Sequence, residues 1–570
     1  MAERLSDSHA DRPAAGIGPF LLKGDETPEF PGAAPANGAE ARPRSSKRRF
    51  GAIGLSAAGP IILAGFSALY LAVALSIAAI RPFWTDEFFT LYLARIKTIS
   101  GLTAALATGG DQHPLPYFLL ERLSISALGE NGIALRLPSI AGFLVMCLCL
   151  YAFVARRYGR SYGLAAFSIP PLTRAFHFAI EARGYAPLLG CAGAALLFWE
   201  LAGTARRRRL AVVGLGLALT LATCCHYYGV FLAIPFGAAQ LLRSWRLRRL
   251  ELGRWCAIGC VWLAPLLSLP LLRNASAPAA HFWAVPEWVD AARFFAVLLA
   301  PAAPAFLAVA AALACLPRSQ PRSPYRGGPR AESFPVDLDT VVLALSFAAL
   351  PLFVMVAAKW VTHAFVFRYV LPALLAPAIA IPFVLSRAFG SRAAPAVVFA
   401  ALFAVGFAVS GYVQIRKYES DRKSVAAMAQ SLESTATRRL PIVFGSREAS
   451  LVASYYAPPE LKRRLVYLAD SRRSLEYLGF DTVDLCAELL RPWFPVNTAA
   501  YAPFIDSHRE FYVYTTIDAK WIWILRALLD DGIELTATRQ NGSGMLLLAN
   551  RATRHRSGSA SLPGPRFNQR

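Results

Sequence analysis

Long apolar runs separated by short polar breaks fill the chain between residues 51 and 415. A helix rises about 1.5 Å per residue, so about 20 apolar residues cross the hydrocarbon core of a bilayer. The pattern predicts about eleven membrane-spanning helices, with two tight breaks that leave the count open by one or two. The predicted spans are 51–80, 131–155, 161–179, 186–204, 210–225, 228–242, 255–272, 293–316, 338–358, 366–386 and 394–415.

The polar segments before and between the first spans differ in character. Residues 1–48 are rich in Ala, Gly, Pro and charge, which predicts a disordered cytoplasmic extension ahead of a transmembrane domain over 49–415. The first span lacks a small-residue cleavage site, so we expect it to remain as an anchor. In the first long break, 81–130, residues 92–107 and 115–128 are moderately apolar but too short or too polar to span. They predict interfacial helices.

After residue 416 the pattern changes to short strand-like and helix-like stretches. This alternation predicts a small α/β domain outside the membrane over 416–552, followed by a disordered tail at 553–570. The predicted strands are 440–444, 464–468, 510–516 and 545–549, and the predicted helices are 420–433 and 519–531. The domain contains neither GxGxxG nor GxxxxGK[ST], so no motif indicates a nucleotide-linked donor.

Composition and charge agree with a membrane protein. The chain is 56% hydrophobic and 17% charged, with a mean hydropathy of +0.42, which excludes an ordinary soluble enzyme. The net charge of +23 comes from short basic clusters between apolar runs, which is typical of membrane topology rather than of nucleic-acid binding. The nine cysteines include no CxxC pair, so they indicate neither a disulfide framework nor a zinc site of their own.

The basic clusters fall at every second break between the spans. They lie at 42–49, 156–160, 206–209, 243–254, 318–330 and 387–392. By the positive-inside rule these clusters face the cytoplasm, as does the N-terminus. We therefore expect a multi-pass protein of a bacterial inner membrane, with the first long loop and the C-terminal domain in the periplasm.

Two acidic positions face the predicted periplasmic side. Asp86 and Glu87 follow the first span, and Glu181 lies in a short outward loop. Ionised groups at the edge of a bilayer are costly and usually functional, although the first pair could instead cap a helix and Glu181 could pair locally with Arg183. A lipid-phosphate donor would suit this chemistry, because transfer needs a base for the acceptor hydroxyl and positive charge for the departing phosphate.

Five motifs in order resemble the membrane glycosyltransferases of the C-type superfamily (GT-C). The resemblance is greatest to bacterial family 39, which is related to protein O-mannosyltransferases and to the lipid A aminoarabinose and galacturonic acid transferases, and it covers about residues 51–415. The motifs are Trp84-Thr-Asp-Glu-Phe-Phe, His113-Pro-Leu-Pro-Tyr-Phe-Leu-Leu, Ala134-Leu-Arg-Leu-Pro-Ser, Glu181-Ala-Arg-Gly-Tyr-Ala and Phe367-Arg-Tyr-Val-Leu-Pro.

The resemblance implies an inverting transferase that moves a monosaccharide from a polyprenyl-phosphate donor to a periplasmic acceptor, which could be lipid A, another glycan, a lipid or a protein. Its functional positions are Asp86, Glu87 and Glu181 as catalytic acids, Arg183, Arg368 and Tyr369 at the donor phosphate, and His113, Tyr185 and Lys359 at substrate. Asp86 would be the base or a metal ligand. Whether a divalent ion (Mg²⁺, Mn²⁺ or Zn²⁺) shared with Glu181 takes part stays open. The expected partners are the lipid-linked sugar, membrane lipids and the acceptor, without nucleic acid.

Two other classes of membrane protein fit the hydropathy less well. A transporter or flippase of lipid-linked sugars would show internal repeats and charges in the middle of its spans, and neither is evident in the sequence. A polysaccharide polymerase or ligase would use a long outward loop between late spans. Here the large outward segments are instead the first loop and the tail, which favours the glycosyltransferase.

Overall fold

The computed structural model describes residues 50–204, 208–274, 281–315, 338–390, 392–436, 438–516, 522–541 and 544–551. The chain divides into two units, Met1–Ser56 and Ala57–Arg570, and the helices and strands that build the site all belong to the second. The predicted extension at 1–48, the predicted tail at 553–570 and the basic cluster at 318–330 lie outside the described residues.

Helices make up most of the described chain. The α-helices are α1 (Phe50–Ile80), α2 (Thr85–Ala94), α3 (Ile99–Ala107), α4 (Leu115–Leu128), α5 (Gly132–Tyr158), α6 (Arg160–Ser168), α7 (Phe176–Ala179), α8 (Tyr185–Thr204), α9 (Arg208–Cys225), α10 (Ala233–Leu247), α11 (Leu252–Gly259), α12 (Leu263–Leu267), α13 (Leu269–Asn274), α14 (Trp288–Leu299), α15 (Ala303–Cys315), α16 (Leu338–Ala348), α17 (Leu350–Ala357), α18 (Leu375–Phe389), α19 (Ala393–Thr435), α20 (Arg447–Tyr456), α21 (Pro459–Lys462), α22 (Ser471–Leu478), α23 (Thr482–Leu489), α24 (Tyr501–Ser507) and α25 (Ile524–Asp530). Tighter 3₁₀ turns lie at Pro170–Leu172, Tyr227–Leu232, Cys260–Trp262, Ala300–Ala302 and Phe367–Leu374, and a π turn lies at Ala358–Thr362.

Seven helices of the described residues are long and apolar enough to cross a membrane, and a pair bent by 41° would make an eighth. The seven are Gly59–Ile80, Gly132–Tyr158, Tyr185–Gly203, Arg208–Cys225, Trp288–Cys315, Phe367–Phe389 and Ala393–Ser434, and the bent pair is Leu338–Ala348 with Leu350–Thr362. The predicted polytopic helical fold is thus confirmed. The count of eleven spans stays a prediction.

The three remaining predicted spans are interrupted helices. Segment 161–179 breaks into α6, the turn Pro170–Leu172 and α7, because consecutive prolines remove two backbone donors. Segment 228–242 begins as the turn Tyr227–Leu232 before it continues as α10, and segment 255–272 divides into α11, α12 and α13 around a 3₁₀ turn. Hydropathy locates these apolar runs but does not show where a run is broken.

The spans α5 and α8 approach each other closely at glycines. A Cβ atom on Gly142 of α5 would lie 2.6 Å from the Cα atom of Pro187, and one on Gly190 of α8 would lie 2.5 Å from the carbonyl oxygen of Gly142. Small residues allow helix backbones to pack at short distance inside a membrane, where van der Waals contact replaces the hydrophobic effect between helices. This contact fixes the distance between α5 and α8, the two helices that begin beside the predicted site.

The C-terminal domain contains a mixed six-stranded sheet. Its strands are β1 (Ile442–Phe444), β2 (Leu465–Ala469), β3 (Thr498–Ala500), β4 (Glu510–Thr516), β5 (Ile533–Asn541) and β6 (Gly544–Arg551), in the order β3-β2-β1-β4-β6-β5. The first four in this order are parallel, with Val443 opposite both Val466 and Val513, and β6 runs antiparallel to β4 and β5. The predicted α/β domain and its four predicted strands are confirmed, whereas β3 and β5 were not predicted.

Two predicted helices differ from those observed. The predicted helix 92–107 is two helices, α2 and α3, because the side chain of Thr98 accepts a hydrogen bond from the backbone N of Gly101 at 3.0 Å and starts a new helix. The predicted helix 420–433 is the end of α19, which runs unbroken from the last span. The proposed domain boundary at 415/416 therefore falls inside one helix, and this boundary stays a prediction.

The first loop and the sheet domain share one apolar core. Phe89 and Tyr92 of α2 pack with Phe494, and Phe88, Leu451 and Leu490 belong to the same cluster. The ring centroids of Tyr92 and Phe494 lie 5.1 Å apart in an edge-to-face arrangement. The sheet domain therefore holds α2 from one side while the spans hold it from the other.

The glycine contact between α5 and α8 can be tested by adding bulk. Gly190→Val should lower the apparent melting temperature of the purified protein in detergent, because overpacking a tight contact costs about 1–3 kcal/mol. Gly65→Val is the matched control, since nothing lies within 4 Å of a Cβ atom at that position of α1. Equal melting temperatures for the two variants would contradict the proposed close packing.

Candidate active site

Glu87 anchors the first turn of α2 to the transmembrane helices. Its side chain is fully buried and accepts two hydrogen bonds from Arg136, each of 2.7 Å, in a bidentate pair. It also accepts the backbone N–H of Ala182 at 3.0 Å and that of Trp84 at 3.3 Å. Burial alone would raise the pKa of Glu87, but Arg136 and Arg81 hold the pKa below its ordinary value. These contacts favour a structural role, and the catalytic role of Glu87 stays a prediction.

The acidic loop before α8 is fixed through its backbone. Arg81, at the end of the first span, donates to the carbonyl of Ile180 at 2.7 Å, and Thr90 of α2 donates to the carbonyl of Ala182 at 2.8 Å. Ser139 of α5 donates to the carbonyl of Arg183 at 3.2 Å. Three elements thus hold one short loop, which places the motif of Glu181 directly against that of Asp86.

Asp86 lies between two guanidinium groups. Its carboxylate oxygen Oδ2 is 3.3 Å from Nη2 of Arg368 and 3.9 Å from Nε of Arg183. Its side chain is 20% exposed, whereas the neighbouring Glu87 is fully buried. Successive residues of a helix point about 100° apart, so the second acid of the motif turns into the protein while the first stays accessible. The structure therefore brings together three of the predicted residues: Asp86, Arg183 and Arg368.

Asp111 is a site residue that the sequence did not identify. Its carboxylate accepts a hydrogen bond from Nη1 of Arg183 at 3.0 Å and lies 2.9 Å from Nδ1 of His113. Burial alone would raise the pKa of Asp111, but Arg183 and His113 hold the pKa far below its ordinary value. The backbone N of His113 also donates to Asp111 at 2.9 Å, closing an Asx turn. The signal that could have indicated Asp111 is the Gly-Gly-Asp sequence whose aspartate lies two residues before His113.

His113 belongs to a ring cluster beside the charged groups. Its ring is 4.9 Å from that of His226 and 5.8 Å from that of Tyr185, and its Nε2 is buried without a hydrogen-bond partner among the described residues. Burial lowers the pKa of His113 and Arg183 lowers it further, against the opposing effect of Asp111. A neutral ring that donates from Nδ1 to Asp111 leaves Nε2 as a free acceptor.

The late motif reaches the same site from the turn Phe367–Leu374. Nε of Arg368 donates to the hydroxyl of Tyr185 at 2.9 Å, and Tyr369 stacks on Tyr228 with ring centroids 4.4 Å apart. His226, whose ring is 5.7 Å from that of Tyr369, continues the cluster. The residues predicted to contact the donor phosphate therefore lie in one connected cluster with His113 and Tyr185, two of the residues predicted to contact substrate.

Glu181 and Lys359 are placed differently from the other predicted residues. Glu181 is fully buried, lies 3.3 Å from Nε2 of His177, and neither of its oxygens has a hydrogen-bond partner among the described residues. No hydrogen bond or ion pair joins it to Asp86 in the described chain. Lys359 lies in the π turn, and within the described ranges no such contact links it to the cluster. The assigned roles of both residues stay predictions.

The described residues do not form a protein-only metal centre. No group of three or more His, Cys, Asp or Glu side chains among them could hold a metal ion. The Oδ2 atom of Asp86 faces two cations, and a divalent ion there would meet both guanidinium groups. The divalent ion predicted to be shared by Asp86 and Glu181 stays a prediction.

The Glu87–Arg136 pair can be tested by removing its negative charge. Glu87→Gln should destabilise the protein by about 3–5 kcal/mol, because it leaves a buried guanidinium uncompensated. Glu130→Gln is the matched control, since its pair with Arg95 is about a third exposed and contributes about 0–1 kcal/mol. The measurement is thermal unfolding in detergent, and equal loss in both variants would contradict the anchoring role.

The pKa of His113 predicts a pH dependence of stability. Because the folded protein lowers this pKa, the unfolded chain binds the proton first as the pH falls through about 6.5. The free energy of unfolding should therefore decrease between about pH 7 and the lowered folded pKa. His113→Gln, which still offers an N–H to Asp111, should make this slope shallower in denaturation measured across that range. An unchanged slope would show that His113 does not contribute.

Comparisons with known proteins support the predicted resemblance. Residues 112–272 match the family model described as dolichyl-phosphate-mannose-protein mannosyltransferase. The crystal structure of ArnT from Cupriavidus metallidurans in the apo state has a TM-score of 0.53 at 13% identity, and the structure of the same protein bound to undecaprenyl phosphate has a TM-score of 0.51 at 14% identity. Each match covers 86% of this chain and 98% of ArnT. A search of curated proteins finds no match. The resemblance is confirmed, and the chain is a membrane protein with the C-type glycosyltransferase fold.

Proposed function

We propose that this protein transfers a monosaccharide from a polyprenyl-phosphate donor to an acceptor hydroxyl, with inversion, at the periplasmic face of a bacterial inner membrane. The observation that carries the proposal is the Asp86 carboxylate held between Arg183 and Arg368. A proton acceptor beside two fixed cations is what transfer from a phosphate-activated sugar requires.

The donor side of the proposal depends on the two arginines. Nε of Arg183 has no hydrogen-bond partner among the described residues, although the guanidinium is buried. Arginine pairs with phosphate through charge-assisted hydrogen bonds in a planar fork. The fold shared with ArnT, whose structure contains undecaprenyl phosphate, supports a polyprenyl phosphate as the lipid carrier.

The acceptor side depends on Asp86. A donor phosphate would compete with Asp86 for both guanidinium groups and leave the carboxylate free to accept a proton from the acceptor hydroxyl. The acceptor oxygen then bonds to the anomeric carbon while the bond between that carbon and the phosphate oxygen breaks. The lipid phosphate leaves with the electron pair, stabilised by Arg183 and Arg368. A single in-line displacement inverts the anomeric configuration.

His113 has a positioning role in this scheme. Asp111 links it to Arg183 through contacts of 2.9 Å and 3.0 Å, so the turn at 111–113 orients the arginine that would hold phosphate. The ring of His113 lies beside those of Tyr185 and His226, and its Nε2 atom, which has no hydrogen-bond partner among the described residues, offers an acceptor for a sugar hydroxyl. The proposed acceptor is a hydroxyl-bearing lipid, glycan or protein.

The test is transfer of radiolabelled sugar from a panel of polyprenyl-phosphate monosaccharides by membranes that carry matched amounts of each variant. Asp86→Asn should reduce transfer by about 10²–10⁴-fold, because it removes the proposed base. Glu130→Gln is the control, since this carboxylate lies on the same loop but pairs with Arg95 at the surface. Equal transfer by wild type and Asp86→Asn would remove Asp86 from the chemistry, and absence of transfer from every donor would favour a transporter or polymerase.

A further inference from the structure

A second cluster of charged groups lies at the opposite end of the helical bundle. Helix α8 begins with Tyr185 in the candidate active site and reaches Trp199 after 14 residues, a rise of about 21 Å. Helix α5 likewise carries Arg136 at the active-site end and Arg157 about 30 Å further along. The second cluster therefore lies near the other edge of the membrane-spanning region.

This cluster surrounds a cavity of about 280 Å³, far more than one water molecule needs. The cavity is lined by Arg157, Arg243, Arg254, Trp199, Glu200 and Asp339. The guanidinium groups of Arg157 and Arg254 lie 6.0 Å and 5.8 Å from the ring centroid of Trp199. Two cations thus approach one aromatic ring at the wall of the cavity.

The acids of the cluster lie close to other arginines, and Oδ1 of Asp339 is buried without a hydrogen-bond partner among the described residues. Glu200 pairs with Arg157, and Asp339 lies 3.5 Å from Nη1 of Arg246. Glu251, just outside the lining, accepts a hydrogen bond from Arg243 at 2.8 Å and pairs with Arg208. These carboxylates are therefore compensated mainly by arginines other than Arg254.

Arg254 is a buried arginine that this network leaves with unsatisfied donors. Its side chain is 1% exposed, its Nε is 3.6 Å from Glu251, and its Nη1 makes only a long 3.4 Å hydrogen bond to Gln240. Nε and Nη2 have no hydrogen-bond partner among the described residues. A Cβ atom added at Gly203, which also lines the cavity, would lie 3.3 Å from this Nη2. A buried guanidinium with free donors is costly unless an acceptor is supplied.

We propose that this cavity binds a phosphate-type oxyanion, with Arg254 and Arg243 as its principal donors. An oxyanion would satisfy the free N–H groups with charge-assisted hydrogen bonds and balance the excess of arginine in the cluster. The position at the edge of the spans fits two sources of the same chemistry, inorganic phosphate or the headgroup of an anionic phospholipid. The site is separate from the Asp86 site and does not depend on the proposed transfer reaction.

The experiment measures equilibrium binding of [³²P]orthophosphate to the purified full-length protein in detergent at constant ionic strength. Arg254→Gln should weaken saturable binding by about tenfold or more, which corresponds to the loss of one charge-assisted hydrogen bond. Gly203→Glu keeps every arginine and places a competing carboxylate beside Arg254, so it should abolish the binding in this cavity. It keeps the test decisive if Arg254→Gln does not fold.

Two controls separate this site from other sources of binding. Arg209→Gln removes the same charge from an exposed position next to Arg208 and should bind phosphate like the wild type. Arg368→Gln removes a proposed phosphate ligand of the Asp86 site, so the saturable binding that remains in this background should still depend on Arg254. Absence of Arg254-dependent binding in the Arg368→Gln background, or equal loss in Arg209→Gln and Arg254→Gln, would overturn the proposal.

The lipid source is tested on protein reconstituted in vesicles of phosphatidylcholine with phosphatidic acid. Retained lipid is identified by mass spectrometry after purification. Phosphatidic acid held by the wild type and lost in Gly203→Glu would support the site with a lipid headgroup as the ligand, even if free phosphate does not bind. If neither probe binds in a manner that depends on Arg254 or Gly203, the cavity is not an anion site.

Discussion

The buried pair of Glu87 and Arg136 is the contact on which the site depends. It joins α2, the first helix of the loop at 81–130, to the start of α5, and Glu87 also accepts the backbone N–H of Ala182. The residue before Glu87 is Asp86 and the residue after Ala182 is Arg183, so one buried carboxylate sets the separation of the proposed base from a proposed phosphate ligand. Ion pairs of this kind add little net stability but are severely destabilising when one partner is removed. The role of this pair is to position residues, because it holds two loops that are distant in sequence in one fixed arrangement.

Charge balance gives the site its second constraint. Asp86 and Asp111 face Arg183 and Arg368, so two negative and two positive groups compensate each other in the absence of ligand. The proposed donor phosphate would add negative charge and compete with Asp86 rather than with Asp111, because Asp111 holds Arg183 by the shorter contact of 3.0 Å and is more deeply buried. Binding of the donor and release of the Asp86 carboxylate would therefore be coupled through the same guanidinium groups. This coupling would keep the proposed base, Asp86, paired with the two arginines until the lipid-linked sugar binds.

The sequence predicted the fold class and several side chains that the structure brings together, and the features that it missed have physical causes. Asp86, Arg183 and Arg368 were predicted from motifs, and the structure brings them together. Asp111 was missed because its partner Arg183 lies 72 residues away, a distance that local pattern cannot bridge. Glu87 was predicted to be catalytic because it belongs to the same acidic motif as Asp86. Helix geometry turns the two side chains to different environments, and the catalytic role of Glu87 stays a prediction. Strand β3 has only three residues and β5 is an edge strand with many polar residues, so neither produced an apolar run.

The places where hydropathy failed to give regular spans are also places that build the site. The turn Tyr227–Leu232 follows His226 and carries Tyr228, the turn Phe367–Leu374 carries Arg368 and Tyr369, and the interruption at Pro170–Leu172 precedes the loop of Glu181. Irregular backbone at membrane depth is tolerated only where protein covers it or where it lines a cavity, because lipid offers its polar groups no hydrogen bonds. A continuous helix would direct its side chains along one cylinder. Broken helices allow several short segments to converge on one carboxylate, so the same interruptions that obscure the count of spans position the proposed chemistry.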